Sequence, residues 1–314
     1  MRATLTGLVL MLGAAASAAQ AQVIDDPQAN VVEALVVSAR LPGPAWWRVS
    51  DADTTIYILG TPGALPKGMA WDTSVLDRRL DGAFAVVTAA AWRAGVTDIP
   101  ALLKLRKAMK GDEAWARRAP ELATRTERAW AAVDRKDPDG WKDWKPVMIA
   151  LQLGGKAMER SDLQAAEPAK TVRKLASKHR VKVRPAEVHK AMPMLKSIAR
   201  QHSDEAGLTC LTESLDAIDA GPGAQRAAAQ AWAVGQVRAS LAAPRSAERC
   251  ELLLPGVADA RRQSVDDEVE ALIALLKTPG HAVALYPIRG LVAEGGVLEK
   301  LRARGITVRT PGDG

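Results

Sequence analysis

The most constraining feature of this chain is the apolar stretch TTIYILGTPGALP at residues 54–66. The alternation of side chains over residues 55–59 predicts a buried β-strand. Gly60 and Thr61 then end the strand in a tight turn, and Pro66 closes a short loop. This loop carries no histidine, acid or cysteine. The stretch therefore has the strand and loop of an enzyme site but lacks the side chains that act in catalysis.

Both ends of the domain alternate between helix and strand, and the middle is helical. The predicted terminal elements are a helix at 74–80, a strand at 83–89, a helix at 265–276, a strand at 282–285, a helix at 297–304 and a strand at 306–309. Between them, helical periodicity dominates residues 99–198. The fold class is therefore α/β, with a mixed central sheet built from the two ends of the chain and a large helical middle section.

The first residues are typical of a secretory signal peptide. A short positive start at Met1 and Arg2 precedes an alanine-rich apolar run, and Ala19-Gln20-Ala21 forms an A-x-A cleavage site. We expect cleavage after Ala21 and a periplasmic or secreted mature chain. Residues 22–43 are expected to form a lead segment, flexible or docked as a strand, outside the main fold, and residues 44–314 a single domain.

Charge and hydropathy narrow the classes of partner. The net charge of +7 is spread over amphipathic segments such as residues 104–110 and 170–184, which favours solvated helix faces over one basic patch. No nucleic-acid motif accompanies the charge, so no nucleic-acid partner is expected. No stretch after residue 21 approaches the ~20 apolar residues of a spanning helix, so no transmembrane segment is expected.

The chain has two cysteines, Cys210 and Cys250. In an exported protein an isolated pair is most simply a disulfide, and closing this loop stabilises a domain by roughly 3 to 4 kcal/mol in the chain-entropy model. Residues 211–220 and 224–242 between them predict a helical hairpin broken by Gly221-Pro222-Gly223. A metal site is the poorer interpretation, because zinc needs clustered ligands and His202 stands alone.

Tryptophans recur in or beside the predicted helices at residues 100–109, 113–133 and 145–153. Trp141 and Trp144 are the pair most suggestive of an exposed platform for sugar or peptide stacking, whereas core packing is the default for large aromatic side chains. An envelope scaffold that uses these tryptophans and the basic faces is therefore one functional hypothesis.

The two ends of the domain resemble TraB/GumN family proteins. The segment PAWWRV at residues 44–49 precedes the strand and loop that in this family read G-T-x-H-x-x-P. Residues 287–298, PIRGLVAEGGVL, match the family's second G-x-x-H and its following L-x-G-x-x-G-[LV]-L, and the tail at 301–308 is also typical. The resemblance covers nearly all of the chain from about residue 44 and implies that the two halves pair across the sheet.

The chain departs from the family's pattern at its functional positions. Gly63 stands at the first histidine position, and Pro287 and Gly290 stand at the glycine and histidine of the second motif. Ala89 ends the strand where the family has an acid. Gln263-Ser264-Val265 replaces the E-R-N segment of the late helix, although a shift in register spares Arg261 or Arg262.

These departures bear on catalysis. The resemblance implies that the G-x-x-H histidines and a strand-end carboxylate hold a divalent ion, which activates water and polarises a scissile carbonyl. Glycine and alanine supply no side-chain donor. We therefore refer to seven ancestral-site positions without assigning a catalytic or metal-binding residue, and we expect no cofactor: Gly60, Thr61, Gly63, Ala89, Arg262, Pro287 and Gly290.

Other catalytic arrangements find less support. A rebuilt metal site would have to use His189 with Glu187 or Asp98, yet residues two apart point to different faces of a helix. His281, beside a Pro-Gly pair, is expected to be a turn residue. Thr61 and Thr88 have no nearby base, no G-x-S-x-G elbow is present, and the paired cysteines lack a thiolate.

The leading hypothesis is an exported TraB/GumN-like pseudoenzyme that binds a peptide, glycan or envelope protein in the ancestral cleft. The enzyme alternative is a metal-dependent hydrolase, a peptidase, with a rebuilt site.

Overall fold

A computed structural model describes residues 24–39, 41–111, 113–164 and 167–313. The predicted signal peptide lies outside the described residues. The strands are β1 Trp46–Ser50, β2 Thr54–Thr61, β3 Leu65–Pro66, β4 Val86–Thr88, β5 Ala91–Arg93, β6 Leu163–Gln164, β7 Val183–Pro185, β8 Val188–Lys190, β9 Gly280–Pro287 and β10 Thr307–Arg309.

Helices fill the rest of the described chain. Short 3-10 helices occur at Glu33–Leu35, Val96–Asp98 and Gly140–Asp143. The α-helices are α1 Ser74–Leu80, α2 Ile99–Ala108, α3 Ala114–Arg118, α4 Pro120–Val133, α5 Pro146–Arg160, α6 Glu167–Lys178, α7 Met192–Gln201, α8 Asp204–Ala220, α9 Gly223–Ala233, α10 Val237–Ser240, α11 Ser246–Leu252, α12 Val257–Leu276, α13 Ile288–Val292 and α14 Val297–Ala303.

The central sheet is mixed and has the strand order β10-β1-β2-β9-β4-β7 among the described residues. Strand β2 runs parallel to β9 from Thr54 opposite Gly280 to Thr61 opposite Pro287. Strand β4 is parallel to both β9 and β7, whereas β1 is antiparallel to β2 and β10. The predicted fold class is therefore confirmed: the ends of the chain build the sheet, and the middle adds only the edge strand β7.

The sheet core forms around the two central strands. The branched side chains of Ile56, Ile58 and Val283 are fully buried, as strand positions covered on both faces require. Helix α12 lies against β2 and carries buried residues such as Val269 and Leu272 into the same core. Residues 55–59, whose alternating side chains predict a buried strand, thus form part of a strand in the core.

The lead segment packs on this core, so the prediction that it lies outside the main fold is wrong for the described part. Leu35 is fully buried, and its carbonyl accepts a hydrogen bond from Nε1 of Trp47 at 3.2 Å. The backbone N–H of Val32 donates to the carbonyl of Val292 at 2.8 Å. The short apolar run at residues 31–37 buries enough surface to hold the segment in place.

A second cluster, the helical core, lies between helices α4, α5, α8 and α11. It contains Trp115, Trp130, Trp141 and Trp144, all at most 8% exposed, so the interpretation of an exposed tryptophan platform is wrong. The predicted disulfide between Cys210 and Cys250 lies in this cluster and joins α8 to α11.

Several boundaries differ from the predicted ones for local reasons. The helix expected at residues 113–133 is two helices, because Pro120 begins a new first turn after Ala119. The second arm of the predicted hairpin ends at Ala233, since Gly235 adopts a positive φ of 74°. His281 is the second residue of β9, opposite Thr55, so its assignment to a turn is wrong. In the described part of the chain, no helix combines the length and the apolar character that crossing a membrane requires.

Candidate functional site

The carboxyl ends of three parallel strands meet at one edge of the sheet. Thr61 at the end of β2 lies opposite Pro287 at the end of β9. On the other side of β9, the N–H of Ala89 donates to the carbonyl of Leu285 at 3.1 Å. Ligands in open α/β sheets bind outside the carboxyl ends of the strands. The structure therefore brings Thr61, Ala89 and Pro287 together at the edge where a site is expected.

The side chains at this edge offer few polar groups. The Oγ1 hydroxyl of Thr61 donates to the carbonyl of Tyr286 at 3.2 Å, which closes the ends of β2 and β9 against each other. Ala89 and Pro287 carry no side-chain donor or acceptor. Gly63 is exposed, and a Cβ atom built there would meet no atom within 4 Å. The edge is therefore open beside Gly63, and Thr61, Ala89 and Pro287 themselves supply no acid or imidazole.

The end of β2 is closely packed at Gly60. A Cβ atom at Gly60 would lie 2.8 Å from the ring of Trp47 and 2.9 Å from the side chain of Ile288, so only glycine fits. The carbonyl of Gly60 accepts a hydrogen bond of 2.6 Å from Nε1 of Trp232, which is 1% exposed. The ring of Trp71 packs edge-on against that of Trp232. Two indole rings thus support the turn that carries the first motif.

The second motif is covered by the lead segment. Helix α13 begins directly after β9 and places Gly290 in a buried position. A Cβ atom at Gly290 would lie 2.9 Å from Nε2 of Gln28. The neighbouring Arg289 donates to the carbonyl of Gln28 at 3.5 Å. The space that a side chain at position 290 would enter is therefore occupied by a residue of the lead segment.

Arg262 reaches the same region from α12. Its guanidinium pairs with Asp25 at 3.0 Å and with Asp259 at 2.6 Å. Arg262, Gln28 and Gly290 line a small cavity of about 30 Å³. Arg262 also lines a larger, open cavity of about 370 Å³ between the lead segment, the turn after α7 and the turn before α12. Arg261, the other candidate for the family's arginine, pairs instead with Glu251.

The residues proposed for a rebuilt metal site do not converge. Nε2 of His189 lies 2.6 Å from Oδ2 of Asp267, and its ring stacks on Trp92. Glu187 accepts a hydrogen bond from the N–H of Val188, and Asp98 accepts one from the N–H of Gly95. No group of three or more histidine, cysteine or acidic side chains among the described residues is placed to hold a metal ion.

One buried acid near the edge was not predicted. Glu268 on α12 is 4% exposed, and burial raises its pKa to about 8 although the N–H of Ala90 hydrogen-bonds to it. The hydroxyl of Tyr286 donates to the backbone carbonyl of Glu268 at 3.2 Å. Burial, followed by the charge of Glu268, raises the pKa of Tyr286. The sequence did carry a signal, because Glu268 shares a helical face with the apolar Val265 and Leu272.

A match to a known protein family covers both ends of the chain that build the sheet. The sequence model of the TraB/PrgY/gumN family matches residues 45–310, which include every strand from β1 to β10. Neither a curated protein nor a solved structure gave a significant match to the chain. Because the family match covers most of the sequence, this chain belongs to the TraB/PrgY/gumN family.

Proposed function

We propose that this protein is an exported, catalytically inactive family member that binds a peptide, glycan or protein partner in the ancestral cleft. One observation carries the proposal. The strand edge gathers Thr61, Ala89, Pro287 and Gly290, and their side chains offer a single hydroxyl, which is already bonded to Tyr286. An active metal site needs several nitrogen or oxygen donors that converge on one point.

Export is supported by the cysteine pair. The disulfide between Cys210 and Cys250 lies in the helical core, and disulfides persist chiefly in oxidising compartments. A signal peptide at residues 1–21 would deliver the chain to such a compartment. We accordingly assign the mature protein to the periplasm or the extracellular space.

Two openings support a binding role. The strand edge is open beside Gly63, and a separate cavity of about 370 Å³ lies between Arg262, the lead segment and the turn before α12. Half of the lining positions of that cavity come from turns and loops, and the other half come from helices. Loops held by a rigid core are the usual place for binding residues.

The test is partner capture with a blocked cleft. Immobilised mature protein is exposed to a peptide library and to an oligosaccharide array, and the captured ligand is measured again with Gly63→Trp. The indole at position 63 enters open space, so the variant folds but loses at least tenfold in affinity. Gly155→Trp is the matched control, because Gly155 is exposed on α5 and a Cβ there also meets no atom within 4 Å.

Equal capture by the protein and by Gly63→Trp would place the partner elsewhere on the surface and contradict the proposal. Hydrolysis of any captured peptide would contradict the non-catalytic part of it.

A further inference from the structure

The segment at residues 25–32, which we call the strap, crosses the second motif with a turn at residues 26–29, where the N–H of Ala29 donates to the carbonyl of Asp26 at 3.2 Å. The N–H of Val32 donates to the carbonyl of Val292 at 2.8 Å, and the N–H of Glu294 donates to the carbonyl of Asn30 at 3.2 Å. Val31 and Ala293 form an antiparallel bridge. One end of the strap is therefore held by backbone hydrogen bonds, as an added strand is held on a receptor.

The other end of the strap is held by charge. Oδ2 of Asp26 lies 2.6 Å from Nη1 of Arg245, and Oδ1 lies 3.1 Å from Nη2, which is a two-point contact. The side chains of Asp26 and Arg245 are only 12% and 16% exposed. Burial alone would raise the pKa of Asp26, but the hydrogen bonds from Arg245 and from the N–H of Gln28 outweigh it, so the pKa is lowered. Such buried, bidentate arginine–carboxylate contacts are the strong ones.

A second arginine, beside this contact, has no carboxylate partner among the described residues. Arg289 is half-buried and donates to two carbonyls, that of Leu241 at 2.6 Å and that of Gln28 at 3.5 Å. Burial, followed by the charge of Arg245, lowers the pKa of Arg289. Arg245 also pairs with Glu248 at 2.6 Å, so without Asp26 the two guanidinium groups face one carboxylate and the groove under the strap carries a net positive charge.

We propose that the strap is an internal occupant of a peptide-binding groove, and that the groove takes an acidic peptide of a partner, with a turn like that of the strap, in its place. This inference rests on the proposed binding function and names the class of ligand. Arg245 and Arg289 recognise the acidic side chains, and residues 292–294 supply backbone groups for pairing. Arg262 adds little to the affinity for an acidic peptide, because both side chains of its ion pair with Asp25 are exposed.

The strap competes with any partner because it is part of the same chain. A short tether gives an effective concentration in the millimolar range, so a free peptide with the same contacts binds the intact protein weakly. Weakening the strap without removing it should therefore expose the groove, while Leu35 and the rest of the lead segment keep their place in the core.

The experiment uses a labelled peptide of sequence IDDPQANVV, residues 24–32, and the full mature chain. Its binding is measured by fluorescence anisotropy to the unchanged protein and to Asp25→Ala/Asp26→Ala. We expect the double variant to bind the peptide at least tenfold more tightly. A peptide with both aspartates replaced by asparagine should bind the variant at least tenfold more weakly.

Two further changes in the double variant locate the groove. Arg245→Ala and Arg289→Gln should each lower affinity about tenfold, and either variant that stays folded by circular dichroism is informative. Arg304→Ala is the matched control, since Arg304 makes an exposed pair with Glu270 on α12 and should not change the affinity. A scrambled peptide of the same composition should bind weakly, because it retains charge but not register.

The inference is overturned if the folded double variant does not bind the peptide, or if the asparagine peptide and the scrambled peptide bind equally well. Those results would not contradict the proposed function, because a non-catalytic protein could still bind another partner. Metal-dependent hydrolysis would instead overturn the proposed function, whether or not the peptide binds.

Discussion

Aliphatic side chains make up most of the sheet core, which also holds Trp46, Trp47 and Trp232, whereas the smaller helical core is built around four tryptophans and a disulfide. Ile56, Ile58 and Val283 pack between helices on the two faces of one sheet. In the helical core, Trp115 and Trp141 pack edge to face, and the cysteines tie α8 to α11. The sheet core positions the strand edge and its motifs. None of the seven ancestral-site positions belongs to the helical core.

The largest expected effect comes from removing a buried indole from either core. Trp130 and Trp232 are 2% and 1% exposed, and each donates from Nε1 to a backbone carbonyl. Trp130→Ala and Trp232→Ala should each lower the free energy of unfolding by about 3 to 5 kcal/mol, because each leaves a cavity. Urea denaturation followed by circular dichroism measures this. Leu103→Ala is the control, since Leu103 is 60% exposed and its loss should cost under about 0.5 kcal/mol.

A loss below about 1 kcal/mol for either tryptophan variant would mean that its core is loosely packed, since a well-packed large-to-small change costs more. Equal losses with one cooperative transition would mean that the two cores unfold together.

The disulfide separates the stability of the helical core from that of the sheet core, because both cysteines of the chain lie in the helical core. Cys210→Ala/Cys250→Ala should lower the free energy of unfolding by about 3 to 4 kcal/mol, since the bond closes a loop with a sequence separation of 40. Reducing agent should destabilise the unchanged protein to a similar extent and leave the double variant unaffected. Amide exchange should accelerate most in α8 and α11. If the reducing agent does not change the free energy of unfolding of the unchanged protein, the assignment of the disulfide is contradicted.

Glu268 gives the sheet core a pH dependence of its own. Burial raises its pKa from 4.5 to about 8, so the folded state keeps a proton that the unfolded chain releases between these values. The free energy of unfolding should therefore be highest below pH 4.5 on this account, fall as the pH rises to about 8, and level off above it.

Glu268→Gln should remove this decline, which is at most about 1.4 kcal/mol per pH unit for one proton. Urea midpoints at pH 5, 6, 7 and 8 measure it for both proteins. Parallel curves for the variant and the unchanged protein would show that Glu268 titrates normally.

The smallest effect is expected at His189. Its pair with Asp267 is partly exposed, so His189→Ala should cost about 1 kcal/mol. His281→Ala is the matched control, because His281 is half-buried on β9 and its ring packs against that of Tyr57. Peptide hydrolysis that is present in the unchanged protein and absent in His189→Ala would support a rebuilt enzyme site and contradict this account.

Much of the sheet could be predicted because local patterns determine it. The period of two over residues 55–59 and the helix at Ser74–Leu80 follow from side chains that are neighbours in sequence. The parallel pairing of β2 with β9 joins positions more than two hundred residues apart. Periodicity carries no information on that pairing, and the family resemblance supplied it instead.

The site was predicted only in part for the same reason. The two motifs were located from their turns and glycines, but the groove under the strap depends on contacts such as Asp26 with Arg245, 219 residues away. A single aspartate in a polar segment gives no sign of its distant partner. The apolar run at residues 31–37 did carry a signal for docking, and its short length led to the wrong prediction.

The central claim is that the ancestral cleft binds without a metal, and divalent-ion titration tests it most directly. Thermal shift and elemental analysis are applied to the mature protein with manganese, cobalt and zinc. The positive control is Gly63→His/Ala89→Glu/Gly290→His combined with Gln28→Ala, which places donors at three ancestral-site positions and frees the space beside residue 290. The account predicts no bound metal and no saturable rise in melting temperature for the unchanged protein, since only a ligand that binds the folded state stabilises it. A stoichiometric metal with a saturable shift would contradict it.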